Sequence, residues 1–421
     1  MDDGRVVVVG GGLGGLAAAT FLGQAGRRVT LLERAPTLGG RAATHAHEGF
    51  RFNLGPHALY KGGQAQAVLR ALGVSWSGSV PVNAESWAWS GDRLHLLPTG
   101  AWSLLRTSLL TTGARWELGR LLATLGRVDA DALAGVTLDA WSSDKLRDPV
   151  ARDLVRFLGR VSTYAHAPAW QSAQVAVSQM RLAALQGVEY LDGGWEGLVA
   201  VLERAARAAQ VELVCDAKVE AIEHDEAVRA VRLRGGERVE ARGVVVALPL
   251  KAAAKLLPGV APLQARAAQA KPARIACLDL ALRRFPKPGV SAVFGVDAPW
   301  YLSVHSRVAR LAPEGGALAH AARYLAPDEP PPARGELEAW LDAVIPGWRP
   351  EVLHARWLPD MMAASAIEGA SEGGLAGRAA VQSPDVRGLC FAGDWVGSQG
   401  ALCDASLASA REAARGLLAP R

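Results

Sequence analysis

Four valines in a row, Val6 to Val9, run straight from Arg5 into a glycine cluster. An unbroken apolar run of that length predicts a strand buried on both faces, as inside a parallel sheet. Residues 16–26 then carry apolar positions at helical spacing, with Gly26 as the stop signal. Residues 29–32 predict a second buried strand, closed by Glu33. The same alternation of elements returns much later. Residues 198–209 place Leu198, Val201, Leu202 and Ala205 on one side of a helix, and residues 211–215 and 218–222 predict strands. A hairpin is predicted over 228–242 around Gly235-Gly236, and a further buried strand over 244–248, stopped by Pro249. Between 251 and 382 the pattern predicts strands at 273–282, 301–308 and 317–325. A stiff loop at Pro327 to Pro332 then leads to a helix at 336–344.

The glycines after the first strand carry chemistry. Gly10, Gly12 and Gly15 form the spacing G-x-G-x-x-G, with Leu13 and Gly14 between the last two. The first allows a tight turn, the second lets the backbone approach a pyrophosphate, and the third lets helix and strand pack closely. The free N–H groups of the helix then point at the phosphates. Glu33 stands 21 residues after Gly12, with Arg34 beside it, where a carboxylate binds the hydroxyls of an adenosine ribose. This unit predicts a dinucleotide and does not separate NAD from FAD.

The following residues do. Leu38-Gly39-Gly40-Arg41-Ala42-Ala43-Thr44 and Phe52-Asn53-Leu54-Gly55-Pro56-His57 resemble the FAD oxidoreductases that include phytoene desaturases, carotenoid isomerases, protoporphyrinogen oxidases and flavin amine oxidases. The resemblance implies that Gly40 and Arg41 line the flavin phosphates, and Gly55, Pro56 and His57 the flavin ring. Many members have Asp where this chain has Asn53. Val219 matches the valine whose backbone holds the adenine. Near the end, Gly388-Leu-Cys-Phe-Ala-Gly393-Asp394 resembles the strand whose acid meets the ribityl and phosphate region. Gly400 and Ala401 then open a helix beneath the flavin. Cys403 lies inside that helix and does not match the covalently flavinylated cysteine, so the implied cofactor is non-covalent FAD. Amine oxidases of the family place a lysine near 273–282, where this chain has Arg274, Ile275 and Ala276, with Lys271 outside the strand. Trp395, Ser398 and Gln399 likewise depart from the amine oxidases' aromatic cage. Similarity is greatest to the phytoene desaturase-like branch and covers roughly residues 5–60, 188–250 and 375–418. His57 and Tyr60 are the candidate catalytic residues, as polar groups in an otherwise apolar pocket.

The implied fold class is α/β: a Rossmann-type FAD-binding domain assembled from 1–75, 186–250 and 383–421. An α+β substrate domain with a mixed sheet and a helical part takes 76–185 and 251–382. Eleven of the 13 tryptophans fall in the substrate segments and suit a pocket for a bulky apolar ligand. The net charge of +5 is spread without a basic tract, which argues against nucleic acid and leaves anionic lipid surfaces open. Cys215, Cys277, Cys390 and Cys403 are scattered without metal spacing and read as reduced thiols. With the first strand beginning at once and no run of 18 uncharged apolar residues, the expectation is a cytoplasmic protein. Residues 104–128 set eight leucines beside Arg106, Arg115, Arg120 and Arg127 with one acid, Glu117. That pattern predicts either peripheral membrane contact or a buried helix pair. The expected reaction is hydride transfer from carbon to flavin N5, leaving a double bond in an isoprenoid-like substrate. Alternatives are oxidation of a C–N or tetrapyrrole bond, redox-neutral isomerisation, and a flavoprotein that only carries an apolar ligand.

Overall fold

The computed structural model describes residues 4–81 and 86–419. Its first layer is a five-stranded parallel sheet in the order Glu212–Val214, Val29–Leu32, Val6–Val9, Gly243–Val246, Leu389–Phe391. Val6 lies opposite both Val29 and Gly243, so three distant stretches of chain meet at one register. The two central strands are buried at every residue, which is why they read as plain valine runs. Helices Leu13–Gln24, Trp195–Ala208 and Leu402–Leu418 pack together against this sheet.

A second sheet has seven strands in the order Val352–Ala364, Ala273–Leu282, Ala317–Leu325, Trp300–Ser303, Ala292–Gly295, Ser86–Ser90, Arg93–Leu96. Its strands pair antiparallel except Ser86–Ser90, which runs parallel to Ala292–Gly295 and brings residues from before 100 into the later segment's sheet. A helical part between them holds Ala101–Arg106, Thr112–Thr124, Leu138–Lys145, Pro149–Thr163 and Ala173–Gln186. Its core contains Leu118, Trp141, Leu154, Phe157 and Met180.

Two expectations change here, and one strand that the pattern did not predict appears. The strand predicted at 301–308 stops at Ser303, and the chain turns through a 3-10 helix at His305–Arg307. The longest strand, Val352–Ala364, has no clean alternation because it lies at a sheet edge, where Pro359 and a register shift are tolerated. The tryptophans do not gather around a ligand site. Trp87, Trp89, Trp300, Trp340, Trp348 and Trp357 pack instead with Leu278 and Leu280 on one face of the second sheet. The opposite face, carrying Ile275, Cys277 and Asp279, looks toward the glycine-bearing loop at Gly55.

Candidate active site

The loop at Gly10–Gly15 is shaped by close approaches. Gly10 has φ +106°, and a Cβ at Gly15 would stand 1.9 Å from the Gly10 carbonyl oxygen, so neither position admits a side chain. Gly14 stands against Ser406 of the C-terminal helix. Gly12 differs: a Cβ there would meet nothing nearer than Gly39 O at 3.8 Å. The N-terminus of helix Leu13–Gln24 has no side-chain cap, so its first N–H groups are left for another acceptor. Gly40 faces Gly12 across this gap, and the Gly39 N–H donates to Gly11 O at 2.8 Å.

Glu33 is buried at the end of its strand. Its Oε2 accepts the Gly11 N–H at 2.7 Å and its Oε1 the Ala35 N–H at 2.9 Å, which fixes the carboxylate and leaves each oxygen a further lone pair. Arg34 beside it is exposed. The Ala217 N–H donates to Glu33 O at 2.8 Å, which brings the segment leading to buried Val219 alongside the acid. Arg41 and Asp394, far apart in sequence, form an ion pair at 2.7 Å. Burial alone would raise the Asp394 carboxyl, but Arg41 and the Ser365 amide outweigh it and hold it below the usual range. Its Oδ2 takes both of those partners, while Oδ1 is buried with no hydrogen-bond partner. The Gly393 N–H donates to Ser409, Gly400 has φ +66°, and Ala401 opens the helix Leu402–Leu418 without a side-chain cap.

Fixed acid, uncapped helix start over an open glycine gap, arginine and orphaned carboxylate oxygen fit an adenine-dinucleotide cofactor. Glu33 would hold the ribose, the Gly12–Gly15 turn and Arg41 the phosphates, and Asp394 the polar chain that follows. Such a cofactor, if a flavin, supplies hydride acceptance.

The loop after Asn53 leads from this cradle to the second sheet. Asn53 Oδ1 accepts the Trp195 N–H at 3.0 Å and the Thr44 hydroxyl at 2.8 Å, so the amide supports the loop. Gly55 has φ +71°, and a Cβ there would come within 2.5 Å of Met361 and 3.0 Å of Cys277. The Pro56 carbonyl accepts the Tyr164 hydroxyl at 2.9 Å. His57 places Nδ1 3.2 Å from Gly55 O and Nε2 3.1 Å from Arg41 O, so a neutral ring can donate to only one of them. Burial lowers its pKa to about 4, which keeps it neutral at pH 7. Tyr60 donates to Ser162 O at 2.8 Å, and burial pushes its phenol well up. The Tyr60 hydroxyl and the one N–H of a neutral His57 are therefore engaged with the protein's own backbone. That arrangement suits holding the loop better than accepting a proton.

Sequence reasoning passed over a different group. All five tyrosines come together beyond Gly55. Tyr164 and Tyr301 each lie 6.2 Å from the Tyr324 ring, Tyr190 stacks on His305 at 3.9 Å, and Tyr60 reaches Ser162 two residues before Tyr164. Burial raises the pKa of every one of these phenols, so all remain donors at neutral pH. Ile275, Cys277, Phe294, Leu358 and Met361 fill the spaces between them.

Within this wall Asp279 and His320 are fully buried. Asp279 Oδ1 faces His320 Nδ1 at 2.5 Å, and Oδ2 accepts two N–H groups of Arg356 at 2.6 and 3.1 Å. Arg356 also donates to the Asn53 carbonyl, which ties the cluster to the Gly55 loop. In the neutral ring a carboxylate at Nδ1 fixes the proton there and leaves the lone pair on Nε2, and Nε2 of His320 has no partner. His305 lies edge-on at 4.6 Å, with Nε2 3.2 Å from the Tyr301 hydroxyl and Nδ1 buried without a partner. Two unpartnered ring nitrogens thus stand side by side in an apolar wall.

The described residues hold no group of three potential metal ligands and no helix long and apolar enough to cross a membrane. In sequence, the chain is 57% identical over 51 residues to a carotenoid 3,4-desaturase of Haloarcula japonica, 12% of this chain and 10% of that protein. It is 24% identical over 275 residues to a 4,4'-diaponeurosporene oxygenase of Staphylococcus aureus, 57% of this chain and 55% of the relative. The chain thus matches at most about half the length of these curated relatives. An oxidoreductase structure from Methanosarcina mazei shares the fold with a TM-score of 0.74 at 20% identity, covering 97% of this chain and 99% of the other. The family model described as flavin containing amine oxidoreductase matches residues 13–278, from the helix that follows the glycine turn through Glu33 and the Gly55 loop into the strand Ala273–Leu282, ending just before Asp279. With a cradle that fits a flavin dinucleotide and that match across most of its length, the chain belongs to the flavin-containing amine oxidoreductase family.

Proposed function

We propose that this protein uses non-covalent FAD to remove two hydrogens from a bulky apolar, isoprenoid- or polyene-like substrate and leave a carbon–carbon double bond. The observation that carries the reading is the buried wall of tyrosines and aliphatic side chains abutting the Gly55 loop. Such a wall recognises an extended hydrocarbon by contact area and offers no buried free carboxylate to an amine, since Asp279 is spent on Arg356 and His320. The name of one sequence relative, a carotenoid desaturase, agrees with that chemistry, and that of the other, a diaponeurosporene oxygenase, with the type of substrate. Bound FAD would supply hydride acceptance, and His320 Nε2, oriented by Asp279, would take the proton lost beside the hydride. His57 and Asn53 hold the loop that separates the two halves of the site.

The test is anaerobic mixing of the flavin-loaded protein with saturated and partly desaturated polyenes and with primary and secondary amines. Bleaching of the flavin by a polyene, with a product two hydrogens lighter, is expected, and heat should release the flavin. Bleaching by amines alone would establish C–N oxidation, the reading that the family's name favours. Against it stands Lys271, which lies outside the strand Ala273–Leu282 with its ammonium over the Trp170 ring at 4.4 Å. A product of unchanged mass would mean isomerisation.

A further inference from the structure

Burial accounts for only some of the apolar residues in the helices Ala101–Arg106 and Thr112–Thr124 and the turns that flank them. Leu110, Ala114, Leu118, Leu121 and Leu125 enter the core of the helical part, and Leu104 packs against Gly119 to hold the two helices together. Trp102, Trp116 and Leu105 point the other way, at 70%, 67% and 66% exposure. Leu185, 65% exposed, ends the helix Ala173–Gln186 beside Gly126, at the far end of the same two-helix unit. These four are the most exposed large apolar side chains among the described residues. The core explains the buried leucines and leaves these unexplained.

The charges around them have one sign. From 99 to 128 the chain carries Arg106, Arg115, Arg120 and Arg127 against Glu117. The Glu117 carboxylate is turned away, accepting the Arg147 and Asp148 amides. Arg106 lies over the Trp102 ring at 5.3 Å, and Arg120 over Trp116 at 5.2 Å. Of the acids that follow, Asp131 bonds Gln174, and exposed Asp129 accepts the Asp131 amide.

We infer that Trp102, Leu105, Trp116 and Leu185, with Arg106 and Arg120, form a dock that seats the protein on the headgroup layer of an anionic membrane. Indole rings favour the boundary between headgroup and acyl chain, and guanidinium groups beside them meet lipid phosphates. A second copy of the same face would set arginines against arginines, which disfavours self-association as the occupant. Docking needs no spanning segment, and no described helix could supply one. The inference concerns the surface alone and stands whichever substrate the flavin site takes.

Co-sedimentation with vesicles of phosphatidylcholine containing about a third phosphatidylglycerol tests it, with pure phosphatidylcholine as comparison. The flavin-loaded protein should pellet with the anionic vesicles and be released by high salt. Trp102→Ala/Trp116→Ala should lower the partition coefficient at least about tenfold. Arg106→Gln/Arg120→Gln should remove the preference for anionic lipid. Both pairs are exposed, so melting temperature and flavin content should not change, and Leu185→Ser on a different helix gives an independent second reading. Recovery in the supernatant with and without vesicles, or equal binding by wild type and the Trp102→Ala/Trp116→Ala variant, would overturn the inference. So would a dimer in solution that the same variant dissolves.

Discussion

Replacing Asp279 with asparagine changes the proton geometry of the buried cluster at almost constant volume. The carboxylate serves two partners, Arg356 at 2.6 and 3.1 Å on one oxygen and His320 Nδ1 at 2.5 Å on the other. An amide has one oxygen. Turned toward His320, it would set its NH2 against the guanidinium, donor against donor, beside a buried charge. Turned toward Arg356, it presents N–H to His320 Nδ1, which must then accept, and the ring proton moves to Nε2. The second arrangement costs less, so Asp279→Asn should invert the His320 tautomer. The stability loss should be about 2 kcal/mol, a charge-assisted bond weakened while Asn53 O still holds Arg356. Asp279→Ala strips both partners and should cost roughly 3–5 kcal/mol. With the Nε2 lone pair gone, anaerobic flavin reduction in Asp279→Asn should slow by about 10²–10⁴-fold with flavin content unchanged. Stopped-flow absorbance reads the rate, ring ¹⁵N shifts read the tautomer, and denaturant titration reads stability. An inverted tautomer with a rate within about threefold of wild type would remove His320 from the chemistry.

Other perturbations separate cradle from scaffold. Gly15→Ala, with a Cβ 1.9 Å from Gly10 O, should prevent correct folding. Gly12→Ala has room within the protein and should fold with a near-normal melting temperature yet lose flavin, read as absorbance of the purified protein. Glu33→Ala should weaken FAD by about ten- to a hundredfold through a lost charge-assisted bond of roughly 1.5–3 kcal/mol, and Asp394→Ala by a similar factor. Flavin fluorescence titration checks both, and unchanged affinity in both would displace the cofactor from this cradle. Burial holds His57 and His166 at about 4, below the ordinary 6.5, so between those values the unfolded chain takes up protons that the fold refuses. Stability should therefore fall as pH drops from 6.5 to 4. Asp404, raised by burial to about 6, runs the other way: its contribution is fully present below 3.8 and lost as pH rises through 6. Asp404→Asn should thus steepen the acid-side loss of melting temperature, and a flat profile from 6.5 to 4 in wild type would contradict the assignments.

The cradle was legible because its parts are local. The turn at Gly10–Gly15, the strand before it and Glu33 lie within one short stretch, and backbone demands restrict those positions to particular residue types. The pairing of Arg41 with Asp394 was half legible, since each belonged to a recognisable motif but nothing local said they would touch. The Asp279, His320, His305 and Arg356 cluster left no trace, because its members come from different strands and a turn of one sheet and acquire meaning only through register. Asp279 faces both His320 and Arg356 across its two neighbouring strands. Tryptophan abundance misdirected attention for a related reason. Large rings fill any thick core, and here six of the 13 fill the face of the second sheet away from the Gly55 loop, while the scarcer tyrosines line the near face.

The order of strands in the five-stranded sheet has a consequence for synthesis. Val6–Val9 cannot gain its second neighbour until Gly243–Val246 has been made, and that strand in turn waits for Leu389–Phe391. Asp394 and the helix Leu402–Leu418 follow later still in the chain. The glycine turn is thus translated long before it is completed as a binding surface. In the meantime the valine strands have unpaired edges and exposed apolar faces, the condition under which long-range parallel pairing is slow and vulnerable to aggregation. Flavin loading accordingly waits for the segment that carries Asp394. Soluble yield should follow flavin supply during expression, since a bound cofactor would tie Glu33 and Arg41 to Asp394 across the whole sheet.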